Sequence, residues 1–254
     1  MLNHTNQRVK LNRHHAFDPY RQGMRTSLIL FFSLFLSITA QTRPVTDRPN
    51  IVLIYLDDSG FGDYSHNGNP VIETPNISRI ANEGVNCTQF YVTSPACSAS
   101  RYGLFTGRYP WHSGFGKWVI GPSAKAHLRA EETTLAEVLK AHGYSTGMFG
   151  KWHMGSPNKG NEMSPTTLPL AHGFDSWIGT NVSHDYANSK LLKSDPNGTN
   201  PIQGYSEIAR NLPSDEAAST SLTRRYTQAA VNFINENKDQ PFFAYVAHNQ
   251  PHLG

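Results

Sequence analysis

Two cysteines in 254 residues, Cys87 and Cys97, are too few for a disulfide framework. Charged residues make up only 16% of the chain, and the scarcity of Glu and Lys excludes a coiled coil or a helical bundle. No apolar run reaches the roughly 20 residues that a membrane-spanning helix needs. Glycine and proline are not in excess: 20 Gly and 16 Pro come to about 14% of the chain against an average of roughly 12%, so disorder is not indicated. The formal charge of +3 is localised. Residues 1–25 carry five Lys/Arg against one acid, and the remainder carries 17 against 18. A nucleic-acid-binding face needs clustered positive charge, and this near-neutral body lacks it. The length suits one large domain or two small ones.

What is present begins with a leader. Arg25 is followed by the eleven-residue apolar stretch Leu28–Ile38 and then Thr39-Ala40-Gln41. A positive flank, a short apolar core and a small residue at the exit describe a secretory signal peptide. The polar residues 1–23 point to Met24 as the true start, with cleavage near Ala40. Residues 1–40 are thus an extension plus signal, and residues 41–254 the functional part. Four glycosylation sequons follow, at Asn76, Asn86, Asn181 and Asn197, and they matter only in a source that glycosylates.

Ile51–Leu56 is a continuous apolar, β-branched run, the pattern of a strand buried on both faces. Thr74-Pro75 opens a helix that Gly84 closes. Val85–Val92 reads as a strand, with Cys87 half-buried in it. Thr134-Leu-Ala-Glu137 is a capping box for a helix stopping at Gly143, before a strand over Tyr144–Phe149. Residues 156–218, rich in Pro, Asn, Ser and Gly, read as a long irregular excursion. A helix over Ser221–Asn237 and a last strand over Phe242–Ala247 follow. Alternating strands and helices predict an α/β fold, a mainly parallel sheet with helices on both faces. In such sheets ligands sit beyond the carboxyl ends of the strands. Asp57 and Asp58 lie just past the first strand, Lys151 and His153 past the middle one, and His248 and His252 past the last. Three strands therefore deliver acids, a lysine and histidines to one edge.

Adjacent carboxylates after a buried strand ask for a cation, and all-oxygen ligands suit a hard divalent ion such as Ca²⁺ or Mg²⁺. A solvated Asp-Asp turn is the plain alternative. Gly60, Gly62 and Asp63 behind the pair suggest a tight turn that holds it.

The segment Cys97-Ser98-Ala99-Ser100-Arg101, running on to Leu104-Phe105-Thr106-Gly107-Arg108, is similar to the Cys-x-Pro-Ser-Arg and Leu-x-Thr-Gly-Arg signature of the type I sulfatases. Asp57-Asp58-x-Gly60-x-Gly62-Asp63 resembles that family's first metal motif. Gly150-Lys151-Trp152-His153-Met154-Gly155 matches its Gly-Lys-Trp-His-Leu-Gly box at all but one position. Pro251-His252 resembles the Pro-His after its later strand. The likeness runs in order from Arg48 to the last residue. It implies an alkaline-phosphatase-like α/β domain that hydrolyses aryl or carbohydrate sulfate esters.

The resemblance also implies roles. Cys97 becomes formylglycine, whose hydrate is the nucleophile and whose second hydroxyl lets sulfate leave by elimination. Asp57, Asp58 and modified Cys97 hold Ca²⁺. Arg101 and Lys151 neutralise developing negative charge. His153 hydrogen-bonds the hydrate and takes the proton, and His252 donates to the leaving alcohol. Ser100 shapes a turn, Trp152 is a packing anchor, His248 packs at its strand end, and His112, His142 and His172 are surface or turn residues.

Two departures stand out. Ala99 occupies the position of the signature proline, which the oxygen-dependent formylglycine-generating enzyme reads, whereas radical-type bacterial maturases accept Ala there. That favours a secreted or periplasmic bacterial protein, with the lysosomal pathway as alternative. The chain also stops before the family's second Asp-Asn or Asp-Gln metal pair, its further lysine and its C-terminal domain. The sheet is expected to end at an exposed edge after Phe242–Ala247, and this stretch alone to bind Ca²⁺ poorly and be inactive. A non-catalytic, truncated product and a phosphatase or phosphodiesterase of the same superfold are the competing readings; the latter use Ser or Thr where Cys97 stands.

Overall fold

The structure is a computed structural model and describes residues 48–113, 119–120, 128–155, 164–186, 189–198, 203–210, 212 and 216–252. The leader at residues 28–38, Met24 and the proposed cleavage site lie outside the described residues. The sheet strands are β1 (Ile51–Asp57), β2 (Ser145–Gly150), β3 (Ser176–Thr180), β4 (Lys190–Ser194), β5 (Tyr205–Arg210) and β6 (Phe242–Pro251). The helices are α1 (Pro75–Glu83), α2 (Cys97–Thr106), α3 (Leu135–Ala141) and α4 (Glu216–Asn237).

The six strands form one sheet in the order β1-β6-β2-β3-β4-β5. The first four are mutually parallel, with Ile51 opposite Phe243 and Ser145 opposite Phe242, while β4 and β5 return antiparallel. The expected mainly parallel α/β sheet is thus what the chain forms. Residues 156–218 depart from the irregular excursion expected of them: short strands β3, β4 and β5 extend the sheet there, although their turn-rich surroundings hide the pattern.

Which strand is buried on both faces is also reversed. β6 alternates between two cores, with Phe243, Tyr245 and Ala247 on one side and Phe242, Ala244 and Val246 on the other. The first core holds Tyr102, Phe105, Trp152 and Phe174, and the second holds Leu222, Tyr226 and Phe233 of α4. Truncating a ring such as Phe243 in so dense a layer costs about 3–5 kcal/mol. β1 is instead an edge strand whose Val52 and Ile54 are 48% and 55% exposed. Among the described residues the outer strands are therefore β1 and β5, and the sheet does not end after β6, which is enclosed between β1 and β2.

Local signals explain the helices. Thr134 Oγ1 accepts from Glu137 N at 3.1 Å, and Glu137 Oε2 accepts from Thr134 N at 2.7 Å, closing the expected capping box. Pro75 sits in the first turn of α1 with Gly84 just past its end. Val85–Val92 is an exposed loop and not a strand, and Cys87 is exposed in it; its imperfect alternation provides no buried face. His172 is fully buried against Trp152, so it is not a surface residue. Asn181 is buried with its side-chain oxygen accepting from Lys190 N at 2.9 Å, which closes that sequon to glycosylation in the folded protein.

Candidate active site

The parallel strands β1, β2 and β6 point their carboxyl ends to one edge, and this is where Asp57, Lys151 and His252 arrive. Beyond β2 the backbone threads between its two neighbours. Lys151 N donates to Ala247 O at 2.9 Å, Trp152 N to Thr180 O at 2.9 Å and His153 N to Asn181 O at 3.1 Å. Gly150 permits this approach: its φ is +125°, and a Cβ there would lie 1.8 Å from Ala247 O. Asp58 and His153 hold left-handed backbone at φ 65° and 56°, a conformation unfavourable for residues with a Cβ and concentrated at functional positions.

Asp57 is the hub. Lys151 Nζ contacts its Oδ2, and Arg101 Nη2 lies 3.6 Å from its Oδ1, all three side chains being buried. Burial alone would push the Asp57 carboxyl up, but Arg101 and Lys151 together hold it below its ordinary value of 3.8. Two cations against one carboxylate leave surplus positive charge in a low-dielectric setting, suited to receiving an anion. Arg101 Nη1 donates to Lys151 O at 2.7 Å and to the Tyr245 hydroxyl at 3.3 Å, and its guanidinium lies 5.2 Å from the centre of the Tyr55 ring.

Cys97 opens α2, and Arg101 follows one turn later on the same helix, so Ser100 between them is helical and does not shape a turn as expected. Ser100 lies in the first helical turn and exchanges a hydrogen bond with the Tyr55 hydroxyl at 2.6 Å, a structural role. Burial pushes the Cys97 thiol up, and Asp57 and Asp58 add to that against the opposing pull of Lys151 and Arg101. His153 is fully buried. Its Nε2–H donates to Ile120 O at 2.9 Å, and Nδ1 has no partner among the described residues. Burial, then Lys151, holds this imidazole well below its usual 6.5. His252 Nε2 stands 3.6 Å from Asp58 Oδ2.

Sequence reasoning missed the contribution of β3. Ser183, three residues past its end, accepts from Lys151 Nζ at 3.0 Å; Tyr186 packs edge-on against His153; and His184 lies edge-on to His252. The signal was there: the short run Trp177-Ile178-Gly179-Thr180 precedes Asn-Val-Ser-His-Asp, another strand delivering polar side chains to the same edge. Trp152 is the packing anchor expected, donating Nε1–H to Thr167 O at 2.8 Å. Asp57 and Asp58 are hard-oxygen donors, but among the described residues no three His, Cys, Asp or Glu side chains are grouped as a metal-binding set.

The sulfatase family profile matches residues 49–254. The chain belongs to the sulfatase family. It is 38% identical over 232 residues to human arylsulfatase A, covering 87% of this chain and 44% of that protein. It is 37% identical to mouse N-acetylgalactosamine-6-sulfatase, covering 80% of this chain and 40% of that one. This sulfatase-family chain spans less than half the length of the curated relatives it matches. Among solved structures, Ps i-CgsB superposes with a TM-score of 0.62 at 29% identity, over 82% of this chain and 46% of that one. A sulfatase from glycosaminoglycan metabolism in Bacteroides thetaiotaomicron gives 0.62 at 27%, over 81% and 52%.

Proposed function

We propose that this chain carries the catalytic half-site of an exported sulfatase that hydrolyses sulfate esters of a sugar or aryl alcohol. The observation that carries the reading is the convergence of buried Arg101 and Lys151 on a single carboxylate, Asp57, beside Cys97. The thiol itself is a poor nucleophile there, because burial keeps it protonated. That supports conversion of Cys97 to formylglycine by a dedicated maturase, which would supply a hydrated aldehyde in place of the thiol. The complex of Ps i-CgsB with k-i-k-neocarrahexaose supports a carbohydrate substrate. Export rests on the leader at residues 28–38, to the periplasm or outside the cell, or to the lysosomal pathway in a eukaryote.

Each residue then has a task. Arg101 and Lys151 bind the sulfate oxygens and neutralise charge as it develops. His153, held with its proton on Nε2, offers the Nδ1 lone pair as base. His252 protonates the departing alcohol, and Asp58 Oδ2, 3.6 Å from its Nε2, holds the ring at the site. Ser183 fixes the Lys151 ammonium. The carboxylates of Asp57 and Asp58 fit a hard divalent ion in donor type, and with residue 97 they would hold Ca²⁺, which when bound polarises a sulfate oxygen.

The test is turnover of an aryl sulfate by full-length protein coexpressed with a maturase, with mass spectrometry of the peptide spanning residue 97. Activity should track thiol-to-aldehyde conversion and vanish in Cys97→Ala, whose fold stays intact. Appreciable turnover by Cys97→Ala rejects the reading.

A further inference from the structure

On the face of the sheet opposite α2, helix α4 presents an open groove that the catalytic reading does not use. Its buried side, with Leu222, Tyr226, Ala230 and Phe233, packs into the second core. Its flank lines a cleft of about 560 Å³ with Ser221, Arg224, Arg225, Gln228 and Asn232, over a floor that includes Ile178 of β3. Helical spacing makes Gln228 a neighbour of both arginines, four residues from Arg224 and three from Arg225. Gln228 Nε2 donates to Asn232 Oδ1 at 2.9 Å, which ties the two amides along the exposed flank.

The two arginines are exposed, and neither has an acidic partner among the described residues. By contrast, the surface arginines Arg108 and Arg210 are paired with Glu132 and Glu207. A second cleft of about 250 Å³ continues the first, sharing Ile178, Ala229 and Asn232 and adding the exposed Lys193. The unpaired cations are thus gathered at the Arg224–Arg225 end of a trough with an apolar floor, while at the far end Lys193 shares the lining with Glu236. Ser221 to Asn232 spans roughly 16 Å along the helix axis. The arginine end reaches the catalytic edge: Thr223 Oγ1 donates to Gln250 Oε1 at 2.5 Å, two residues before His252.

We propose that the groove along Ser221–Asn232 is a binding site for a sulfated oligosaccharide, separate from the catalytic cleft. Guanidinium forks match the oxygens of sulfate or carboxylate groups bidentately. Hydroxyl and amide donors suit sugar hydroxyls, and Ile178 offers apolar surface to a pyranose face. A paired-arginine end over an apolar floor fits a sugar chain that sets a sulfate group beside its ring faces. A nucleic acid would need a denser positive field than this near-neutral body supplies. The choice of sulfate over other anions rests on the sulfatase reading; the existence of the groove does not.

The experiment is a backbone NMR titration of the protein with a heparin-derived tetrasaccharide at low salt, beside its desulfated counterpart and a single-stranded DNA of equal charge. The sulfated sugar should perturb signals along residues 220–232 and around Ile178 and Lys193. R224A/R225A should bind it at least tenfold more weakly while its aryl-sulfate turnover equals that of the unmodified sequence. Unchanged affinity in R224A/R225A overturns the site. Equal binding of the desulfated sugar or of the DNA through the same residues overturns the ligand class. Perturbations confined to residues 57–58, 97–101 and 151–153 assign the sugar to the catalytic cleft and overturn a separate site. Loss of the sulfatase reading appears differently, as absent turnover in the unmodified protein with the groove titration intact.

Discussion

His153 gives its Nε2–H to the carbonyl of Ile120, 2.9 Å away, and the amide of that same Ile120 donates to Ser98 Oγ at 3.0 Å. The candidate base is therefore tied through one residue to the helix that carries Cys97. Ser98→Ala leaves a buried amide without its acceptor and should cost about 1–3 kcal/mol of stability. Because it also frees the peptide that orients His153, kcat on an aryl sulfate should fall roughly tenfold with KM little changed, a loss of about 1.4 kcal/mol in the transition state. An unchanged kcat would show that Ile120 orients nothing.

Lys151→Met removes one of the two cations from a buried carboxylate. The variant should lose about 3 kcal/mol in urea unfolding, because the buried Asp57 Oδ2 loses the ammonium in contact with it and keeps only the more distant Arg101, 3.6 Å from Oδ1. Adding Asp57→Asn should restore part of that loss. If the double variant is no more stable than the single one, the Lys151–Asp57 contact is not what holds these ends of β1 and β2 together.

The buried, neutral His153 makes stability depend on pH with a definite sign. Its imidazole is held well below 6.5, first by burial and then by Lys151, so the unfolded chain takes up this proton before the folded one does. The contribution is present above the unfolded value and is lost as pH falls below it. Between about pH 7 and pH 5 the slope from this one group can approach roughly 1.4 kcal/mol per pH unit. His153→Gln should flatten the fall. Because burial also depresses His184 and His248, some slope should persist. Parallel profiles for the two proteins would mean that His153 titrates as it does in the unfolded chain.

Ala99 lies in the first turn of α2, where the backbone N–H groups have no acceptor within the helix. Proline there removes no helical hydrogen bond, so Ala99→Pro should change stability by less than about 1 kcal/mol. Coexpression with the oxygen-dependent maturase should then give a higher fraction of formylglycine than the unchanged sequence. Equal conversion would show that the maturase does not read this position.

The strand ends could be located from the sequence because a parallel sheet obliges consecutive strands to discharge at one edge. Asp57, Lys151 and His252 follow apolar runs long enough to be recognised, and all three arrive there. β3 left only a faint signal, since five residues between turn-formers carry little periodicity, and with it Ser183, His184 and Tyr186 escaped notice. The helix beginning at Cys97 was obscured by Ser and Gly, poor helix formers that tertiary packing overrides in α2. The continuous run at Ile51 misled in the other direction. Its hydrophobicity promised two covered faces, yet β1 pairs with a single strand and leaves Val52 and Ile54 in solvent.

That position of β1 bears on how the protein loses its site. Asp57 rides on this strand, while Arg101 and Lys151 are fixed to α2 and to the end of β2. A strand with one partner and few covering side chains opens locally at lower free energy than the enclosed β6 or β2. Such an opening withdraws the carboxylate that both cations face and uncovers the flank of the first core that Ile51, Leu53 and Tyr55 close, while the second core, which β1 does not touch, stands. On warming, the charge arrangement should therefore come apart before the fold does, and amide exchange along residues 51–57 should mark the temperature at which this happens.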